Sequence, residues 1–163
     1  MKHLLIIPLA LIIFACNNKT SQVEVESNVL SNSERVKTIY DAFGEGDIET
    51  VLAGFSKDIV WNEAENFIYS DGNPYIGADA ILEGVFQRLG EEWEYWNLTD
   101  KEFYDVGDER ILVTGRYQAK HKTSSKVLDA QFAHFWKIKD TLMMSFQQYT
   151  DTKQAAEAVV VVE

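Results

Sequence analysis

The chain has 163 residues, of which 26 are acidic and 15 are basic, and its formal net charge is −11. Because no basic cluster interrupts this acidity, the composition argues against nucleic acid as a partner. Hydrophobic residues make up 46% of the chain and aromatic residues 12%, which is enough to bury the core of one domain.

The N-terminus begins with a short apolar run, residues 4–15, behind a basic start. A bilayer-spanning helix needs about 20 apolar residues, so this run is typical of an export signal instead. The run ends in IFAC, which resembles a bacterial lipobox, and Cys16 is the only cysteine in the chain. We predict a lipoprotein signal peptide at residues 1–15 and a lipid on Cys16 that anchors the protein in the cell envelope, facing the periplasm. An ordinary signal peptide is the alternative. Residues 16–32 are polar and are predicted to form a flexible tether.

Three helices are predicted in the first half of the folded part. Ser31 and Glu34 have the spacing of a capping box, and apolar residues then recur at helical spacing as far as Phe43. Asp47 follows two glycines and can cap a second, short helix. A third helix is predicted over residues 80–89.

The remaining pattern predicts strands. A first strand covers residues 59–65, and a loop rich in Asn, Asp, Gly and Pro follows it and is long enough to act as a lid. Four more strands are predicted at residues 93–106, 110–120, Val127–Lys139 and Leu142–Thr150. Consecutive strands with tight turns predict an antiparallel sheet with helices on one face, an α+β domain over residues 33–152. Residues 153–163 are predicted to be a C-terminal tail.

Strand alternation predicts which side chains face the interior. His134 alternates with lysines that must reach solvent, so it faces inward, and the same reasoning turns Tyr117 inward. In the first strand Trp61 and Glu63 share a face. The residues predicted to face inward on the last three strands are Ile111, Val113, Gly115, Tyr117, Phe132, His134, Trp136, Ile138, Leu142, Met144, Phe146 and Gln148.

An aromatic-walled cavity with a few convergent polar groups is typical of a small-molecule site. The predicted ligand-binding residues are Trp61, Tyr117, Phe132, Trp136, Phe146 and Gln148. Glu63 and His134 are the candidate catalytic residues, because an apolar environment raises the pKa of Glu63, lowers that of His134 and so favours the neutral form of each. The alternatives are a core histidine hydrogen-bonded to Gln148 or a carbonyl, a histidine that only binds ligand, and a Glu63 that is solvated at the cavity mouth. The scattered histidines and the absence of nucleotide motifs predict no metal and no cofactor.

Three sequence runs together carry a resemblance to a known family: IYDAFGEGDIETVLAGFSKDIVWNE, YIGADAILEGVF and FAHFWKIKDTLMMSFQQYTDT. They resemble the SnoaL-like branch of the nuclear transport factor 2-like superfamily, which includes ketosteroid isomerase, limonene epoxide hydrolase and polyketide cyclases, over roughly residues 34–152. The resemblance implies a cone-shaped, strongly curved sheet closed by helices around a pocket, often in a homodimer. Since this fold serves enzymes, binding proteins and structural modules, it does not identify a reaction.

The resemblance also implies roles for single residues. The general-base aspartate of the isomerase falls on Glu63, so a carboxylate is kept. Its protonated aspartate falls on Ala133 or His134, and strand alternation favours His134. The oxyanion-hole tyrosine of the isomerase falls on Ile39 rather than on Tyr40, which argues against steroid isomerisation.

Family cyclases carry a carboxylic acid at about the position of Gln148, and an amide cannot shuttle a proton in its place. We therefore expect a domain that binds a small, largely apolar or aromatic molecule. The alternative is a cofactor-independent acid/base enzyme of the isomerase, cyclase or epoxide hydrolase type, with Glu63 as general base. A structural protein with a filled cavity is the third reading.

Overall fold

The computed structural model describes residues 30–161. The predicted signal peptide, Cys16 and nearly all of the tether lie outside the described residues. No helix within residues 30–161 is long and apolar enough to cross a membrane.

The helical segments begin where the sequence places caps. Ser31 Oγ accepts a hydrogen bond from the Glu34 amide at 3.2 Å, and Glu34 Oε2 accepts from the Ser31 amide at 2.7 Å, so the predicted capping box is present. Asp47 Oδ1 accepts from the Thr50 amide at 3.0 Å. Within residues 30–161 the α-helices are α1 (Asn32–Glu45), α2 (Ile48–Ala53), α3 (Ala78–Ile81), α4 (Gln87–Glu92) and α5 (Thr152–Val159).

The predicted third helix is one helical stretch with an irregular centre. A π-helical turn, Leu82–Phe86, joins α3 to α4, and a 3₁₀ turn, Ser70–Gly72, lies in the loop before them. π-Helical turns widen a helix locally and are frequent at functional sites. Here the turn carries Val85 and Phe86, which face the cavity described below.

The sheet has the strand order β2-β1-β6-β5-β4-β3. Its strands are β1 (Phe55–Asn62), β2 (Tyr75–Ile76), β3 (Trp93–Asp105), β4 (Arg110–His121), β5 (Val127–Lys139) and β6 (Leu142–Thr150). The α+β fold is confirmed, but the sheet is mixed, because β1 and β6 pair in parallel while the other four neighbouring pairs are antiparallel. No hairpin joins β1 to β6, so chain connectivity does not force them to be antiparallel.

Strand alternation predicts the interior faces of β4 and β5 correctly and fails at the start of β6. Ile138 pairs with Met143 and Lys137 pairs with Ser145, so a β-bulge inserts one extra residue, Met144. Met143 is therefore buried at 1% exposure, whereas Leu142, predicted to face inward, is 37% exposed. Met144 is only half-buried. Beyond the bulge, the inward prediction holds for Phe146 and Gln148.

The segment predicted to be a C-terminal tail contains α5, which packs against β4 and β5. Asp151 Oδ1 caps it by accepting from the Gln154 amide at 3.0 Å. Its buried residues are Ala155 and Ala158. Two small residues make a weak hydrophobic pattern, which is why the sequence analysis does not predict this helix.

Candidate active site

A cavity of about 60 Å³ lies between the helices and the inner face of the sheet. Seven of the eight predicted site residues line it: Trp61, Glu63, Tyr117, His134, Trp136, Phe146 and Gln148. Aromatic rings form most of the wall, and the Trp61 and Phe146 rings stack with their centroids 3.7 Å apart. The sequence pattern thus brings residues of three strands and the end of β1 to one cavity, as predicted.

Phe132 is the exception, because it does not line the cavity. Its ring is buried and stacks on the His134 ring with a centroid distance of 4.1 Å. Gly115 makes room for it, since a Cβ atom there would lie 2.5 Å from the Phe132 ring. The predicted ligand contact of Phe132 is therefore corrected to a packing contact that fixes the plane of the imidazole.

Glu63 is a buried carboxyl, and its two oxygens differ in their contacts within residues 30–161. It follows directly on β1 and is 3% exposed, so the alternative of a solvated residue at the cavity mouth is wrong. Trp61 Nε1 donates to its Oε1 at 2.7 Å, whereas Oε2 has no hydrogen-bond partner among the described residues. Burial raises the pKa of Glu63 to about 7, and the Trp61 hydrogen bond lowers it by less. The residue is thus poised to change charge near neutral pH.

His134 lies between two phenols. Its Nδ1 is 2.6 Å from the hydroxyl of Tyr40, and its Nε2 is 2.5 Å from the hydroxyl of Tyr117. The residue is 3% exposed, and burial lowers its pKa to about 3, so the imidazole is neutral at pH 7. The prediction that Gln148 or a carbonyl satisfies this histidine is wrong, because both ring nitrogens are bonded to tyrosines.

The two tyrosine hydroxyls also accept hydrogen bonds from the far side. Trp136 Nε1 donates to the Tyr40 hydroxyl at 3.1 Å, and Gln148 Nε2 donates to the Tyr117 hydroxyl at 2.9 Å. The result is a continuous buried chain from the indole through Tyr40, His134 and Tyr117 to the amide. Burial raises the pKa of both tyrosines, so they remain protonated donors.

Tyr40 is the site residue that the sequence analysis misses. The family register places the isomerase tyrosine on Ile39, so Tyr40 is treated as a core residue of the first helix. In the structure both residues line the cavity, and the Tyr40 hydroxyl contacts His134 directly. A buried phenol needs a hydrogen-bond partner, and its place on the inward face of α1 is the signal that points to this role.

A loop over residues 63–74 joins β1 to β2 and contributes side chains to the cavity wall. Phe67 and Tyr69 from this loop line the cavity. The Tyr69 hydroxyl donates to Glu92 at 2.8 Å and accepts from Trp93 Nε1 at 2.8 Å. These bonds tie the loop to the end of α4 and the start of β3.

Arg88 on α4 holds the same loop from outside. Its guanidinium lies 4.3 Å from the centroid of the Tyr69 ring, and it donates to Asp71 at 2.8 Å and to the Ile68 carbonyl at 3.3 Å. A cation–π contact is worth about 0.5–1 kcal/mol at an exposed site, and an exposed ion pair about as much. Arg88 is therefore the side chain that joins the outer part of the loop to the helix.

Replacing Arg88 with methionine is expected to loosen the loop by about 1–2 kcal/mol, because the aliphatic stem stays while the charge contacts are lost. Hydrogen exchange of the Phe67 and Ser70 amides, which are bonded within the loop, measures this local opening. Arg110→Met in the β3–β4 hairpin is the matched control. Equal exchange in wild type and Arg88→Met would show that Arg88 does not hold the loop against α4.

No group of three or more metal-ligating side chains occurs in the part of the chain that the structure describes. The cavity wall is apolar apart from the carboxyl, the imidazole, the amide and the phenols. This arrangement can hydrogen-bond one end of a small molecule and can exchange a proton at Glu63.

Comparisons with known proteins agree with this fold. A family model described as a SnoaL-like domain matches residues 36–145. An NTF2-like protein from Burkholderia thailandensis is 28% identical, with a TM-score of 0.76 over 81% of this chain and 99% of its own. An NTF2-like protein from Burkholderia xenovorans is 25% identical, with a TM-score of 0.69 over 79% of this chain and 95% of its own.

A further solved structure, TerC co-crystallised with polyporic acid, is 23% identical and has a TM-score of 0.69. It covers 78% of this chain and 96% of its own, which shows a shared fold. No curated protein matches the sequence significantly.

Proposed function

The chain belongs to the SnoaL-like domain family, and on this premise we propose that it binds a small, largely apolar molecule in the aromatic-lined cavity. One observation carries the proposal: Glu63 Oε2 is buried in this cavity and has no hydrogen-bond partner among the described residues. An unsatisfied buried polar atom costs about 1–3 kcal/mol. A ligand or an ordered water at this oxygen removes that cost.

The size of the cavity sets the scale of the ligand. A volume of about 60 Å³ is less than half of the roughly 150 Å³ that accommodates benzene in an engineered cavity. A larger ligand has to displace part of the wall, and the half-buried lining residues are the side chains that can move at low cost. Phe43 and Phe86 are two of these, and their rings pack between α1 and the π-helical turn with centroids 5.7 Å apart.

Filling the cavity is expected to abolish binding without unfolding the domain. Val85 lines the cavity, so Val85→Phe places a ring in the ligand space, whereas Val127 is exposed and Val127→Phe adds the same atoms at the surface. The measurement is an NMR titration with methylenecyclopentane, a small apolar probe. We expect saturable binding in wild type and Val127→Phe and none in Val85→Phe; equal binding in all three would place the ligand elsewhere.

The natural ligand can be sought directly. Native mass spectrometry of the protein purified from its own source is expected to show a co-purifying small molecule. A mass shift that is present in Val127→Phe and absent in Val85→Phe would assign that molecule to the cavity.

The alternative function is a cofactor-independent acid/base enzyme of the isomerase, cyclase or epoxide hydrolase type. The specific observation in its favour is the same free Oε2 of Glu63, on a carboxyl whose pKa is about 7. A general base works best when its pKa lies near the working pH. If a substrate is identified and Glu63→Gln leaves its turnover unchanged, this assignment is wrong.

We also propose that Cys16 carries a lipid that holds the domain at the periplasmic side of a membrane. The support is the lipobox resemblance and the single cysteine. Mass spectrometry of the N-terminal peptide from cells is expected to show an acylated Cys16, and Cys16→Ser is expected to release the protein from the membrane fraction. Homodimer formation stays a prediction that analytical ultracentrifugation can test.

A further inference from the structure

We propose that the cavity recognises one neutral oxygen acceptor through a single phenolic proton, and that His134 selects whether Tyr40 or Tyr117 supplies it. This inference rests on the proposed ligand-binding function and adds the chemical class of the ligand. The observation behind it is the count of protons in the buried chain of hydrogen bonds.

Each end of the chain is fixed by a group that can only donate in its contact. The Trp136 indole donates to Tyr40, and the Gln148 amide donates to Tyr117, since Gln148 Oε1 already accepts from the Ala64 amide at 3.1 Å. The two phenols therefore both accept one hydrogen bond from outside. What remains to be assigned is the direction of their contacts with the imidazole.

A neutral imidazole has one N–H and one lone pair. One phenol therefore donates to His134, and the other accepts from it. The accepting phenol then accepts two hydrogen bonds, and its own O–H is still available to donate a third. Among the described residues neither tyrosine hydroxyl has a further partner, so this one O–H is left for a ligand.

The two tautomers of His134 put that proton in different places. With the proton on Nδ1, His134 donates to Tyr40, and the free O–H belongs to Tyr40. With the proton on Nε2, the free O–H belongs to Tyr117. The number of free phenolic donors is one in both states, so the site matches one acceptor oxygen, such as that of a ketone, an aldehyde or an ether.

The same count excludes a carboxylate ligand. A carboxylate seeks two or more donors or a cation. Of the described residues that line the cavity, none is a lysine or an arginine, and Glu63 adds negative charge once it is ionised. A neutral ligand is therefore favoured, with its apolar part against the tryptophan and phenylalanine rings.

The test uses three probes of similar shape at pH 8.5, where Glu63 is ionised and cannot donate. They are cyclopentanone, methylenecyclopentane and cyclopentanecarboxylate, and binding is followed by NMR titration of the wild-type domain. We expect the ketone to bind about tenfold more tightly than the hydrocarbon, which corresponds to one net hydrogen bond, and the carboxylate not to bind. Equal affinities for ketone and hydrocarbon, or tight carboxylate binding, would overturn the inference while leaving the proposed function intact. Binding of none of the probes would count against the proposed function itself.

A matched pair of variants tests the role of His134. With ketone bound, Tyr40→Phe leaves only Tyr117 to donate to it, so His134 must carry its proton on Nε2. Tyr117→Phe reverses this and requires the proton on Nδ1. Nitrogen-15 spectra of the imidazole distinguish these tautomers, and the same tautomer in both ketone-saturated variants would overturn the relay. If either variant fails to fold, the wild-type comparison of ketone with hydrocarbon still decides whether the cavity offers one donor, and the variant that folds still tests the tautomer that is expected for it.

Discussion

The free energy of unfolding is expected to fall by about 3 kcal/mol between pH 7 and pH 4 through His134 alone. The pKa of this buried imidazole is about 3 in the folded protein, against an ordinary value of 6.5. Between these two values the unfolded chain binds a proton that the folded chain does not bind. Stability therefore rises with pH across this window and is lost as the pH falls.

Urea unfolding of wild type, His134→Leu and His134→Gln at several pH values measures this contribution. Both variants lack the titrating group, so the difference between wild type and either variant should change by about 3 kcal/mol over the window. His134→Gln is the matched partner, because it keeps donor and acceptor atoms while His134→Leu keeps none. A difference that stays constant with pH would show that His134 is not buried as a neutral group.

Separately, the ligand-binding role predicts that His134→Leu weakens probe binding by more than it lowers stability.

Glu63 is expected to act in the opposite direction at higher pH. Its pKa is raised from 4.5 to about 7 by burial, so the folded chain holds a proton that the unfolded chain has already released. Stability is therefore highest below pH 4.5 with respect to this group and falls as the pH rises through about 7. The full effect is about 3 kcal/mol, and Glu63→Gln should remove it.

The measurement is again the pH dependence of the difference from wild type. Glu63→Gln is expected to gain about 3 kcal/mol relative to wild type between pH 4.5 and pH 8. Glu65→Gln removes one negative charge from an exposed position two residues away and controls for the change in net charge. A Glu63→Gln variant whose stability relative to wild type does not vary with pH would contradict the burial of the ionisable carboxyl.

Glu63 and His134 together determine the charge of the cavity at each pH. Between the two pKa values, at about pH 5 for example, Glu63 is protonated and His134 is neutral, so the cavity carries no charge. Above pH 7 the carboxylate appears and can act as a base. If the domain is an enzyme, its activity should therefore rise with pH through about 7, whereas binding of a neutral ligand should persist on both sides.

The strand pattern predicts most of this site because β4 and β5 are regular. Side chains alternate between the two faces of a strand, which places Tyr117 and His134 on the inner face. The lysines of β5 must reach solvent, so the opposite assignment of the two faces is excluded. The pattern fails at Leu142, because a β-bulge at Met144 inserts one residue and exchanges the faces. No local signal in the sequence marks that bulge, since it is set by how β6 meets both β5 and β1.

Tyr40 and Phe132 show that a correct prediction of burial does not predict the contacts of a side chain. Both are predicted to be buried, and both are, but burial does not say which contact a side chain makes. Tyr40 lies on α1, 94 residues before His134 in the chain. The contact between the two side chains therefore depends on how the helix packs on the sheet. Phe132 stacks on the imidazole instead of lining the cavity, and Gly115 leaves space for its ring.

The class of fold, the family and the short set of polar residues that face the interior can all be predicted from the amino-acid sequence. Local periodicity, caps and turns carry that information, because each depends on a few neighbouring residues. Three features follow only from the packing of the helices on the sheet: Glu63 Oε2 has no hydrogen-bond partner within residues 30–161, His134 lies between two tyrosines, and the cavity is as small as about 60 Å³. Hydrogen-bond partners and cavity volume depend on distances between elements that are far apart in the chain, and those distances are fixed only when the helices close on the sheet.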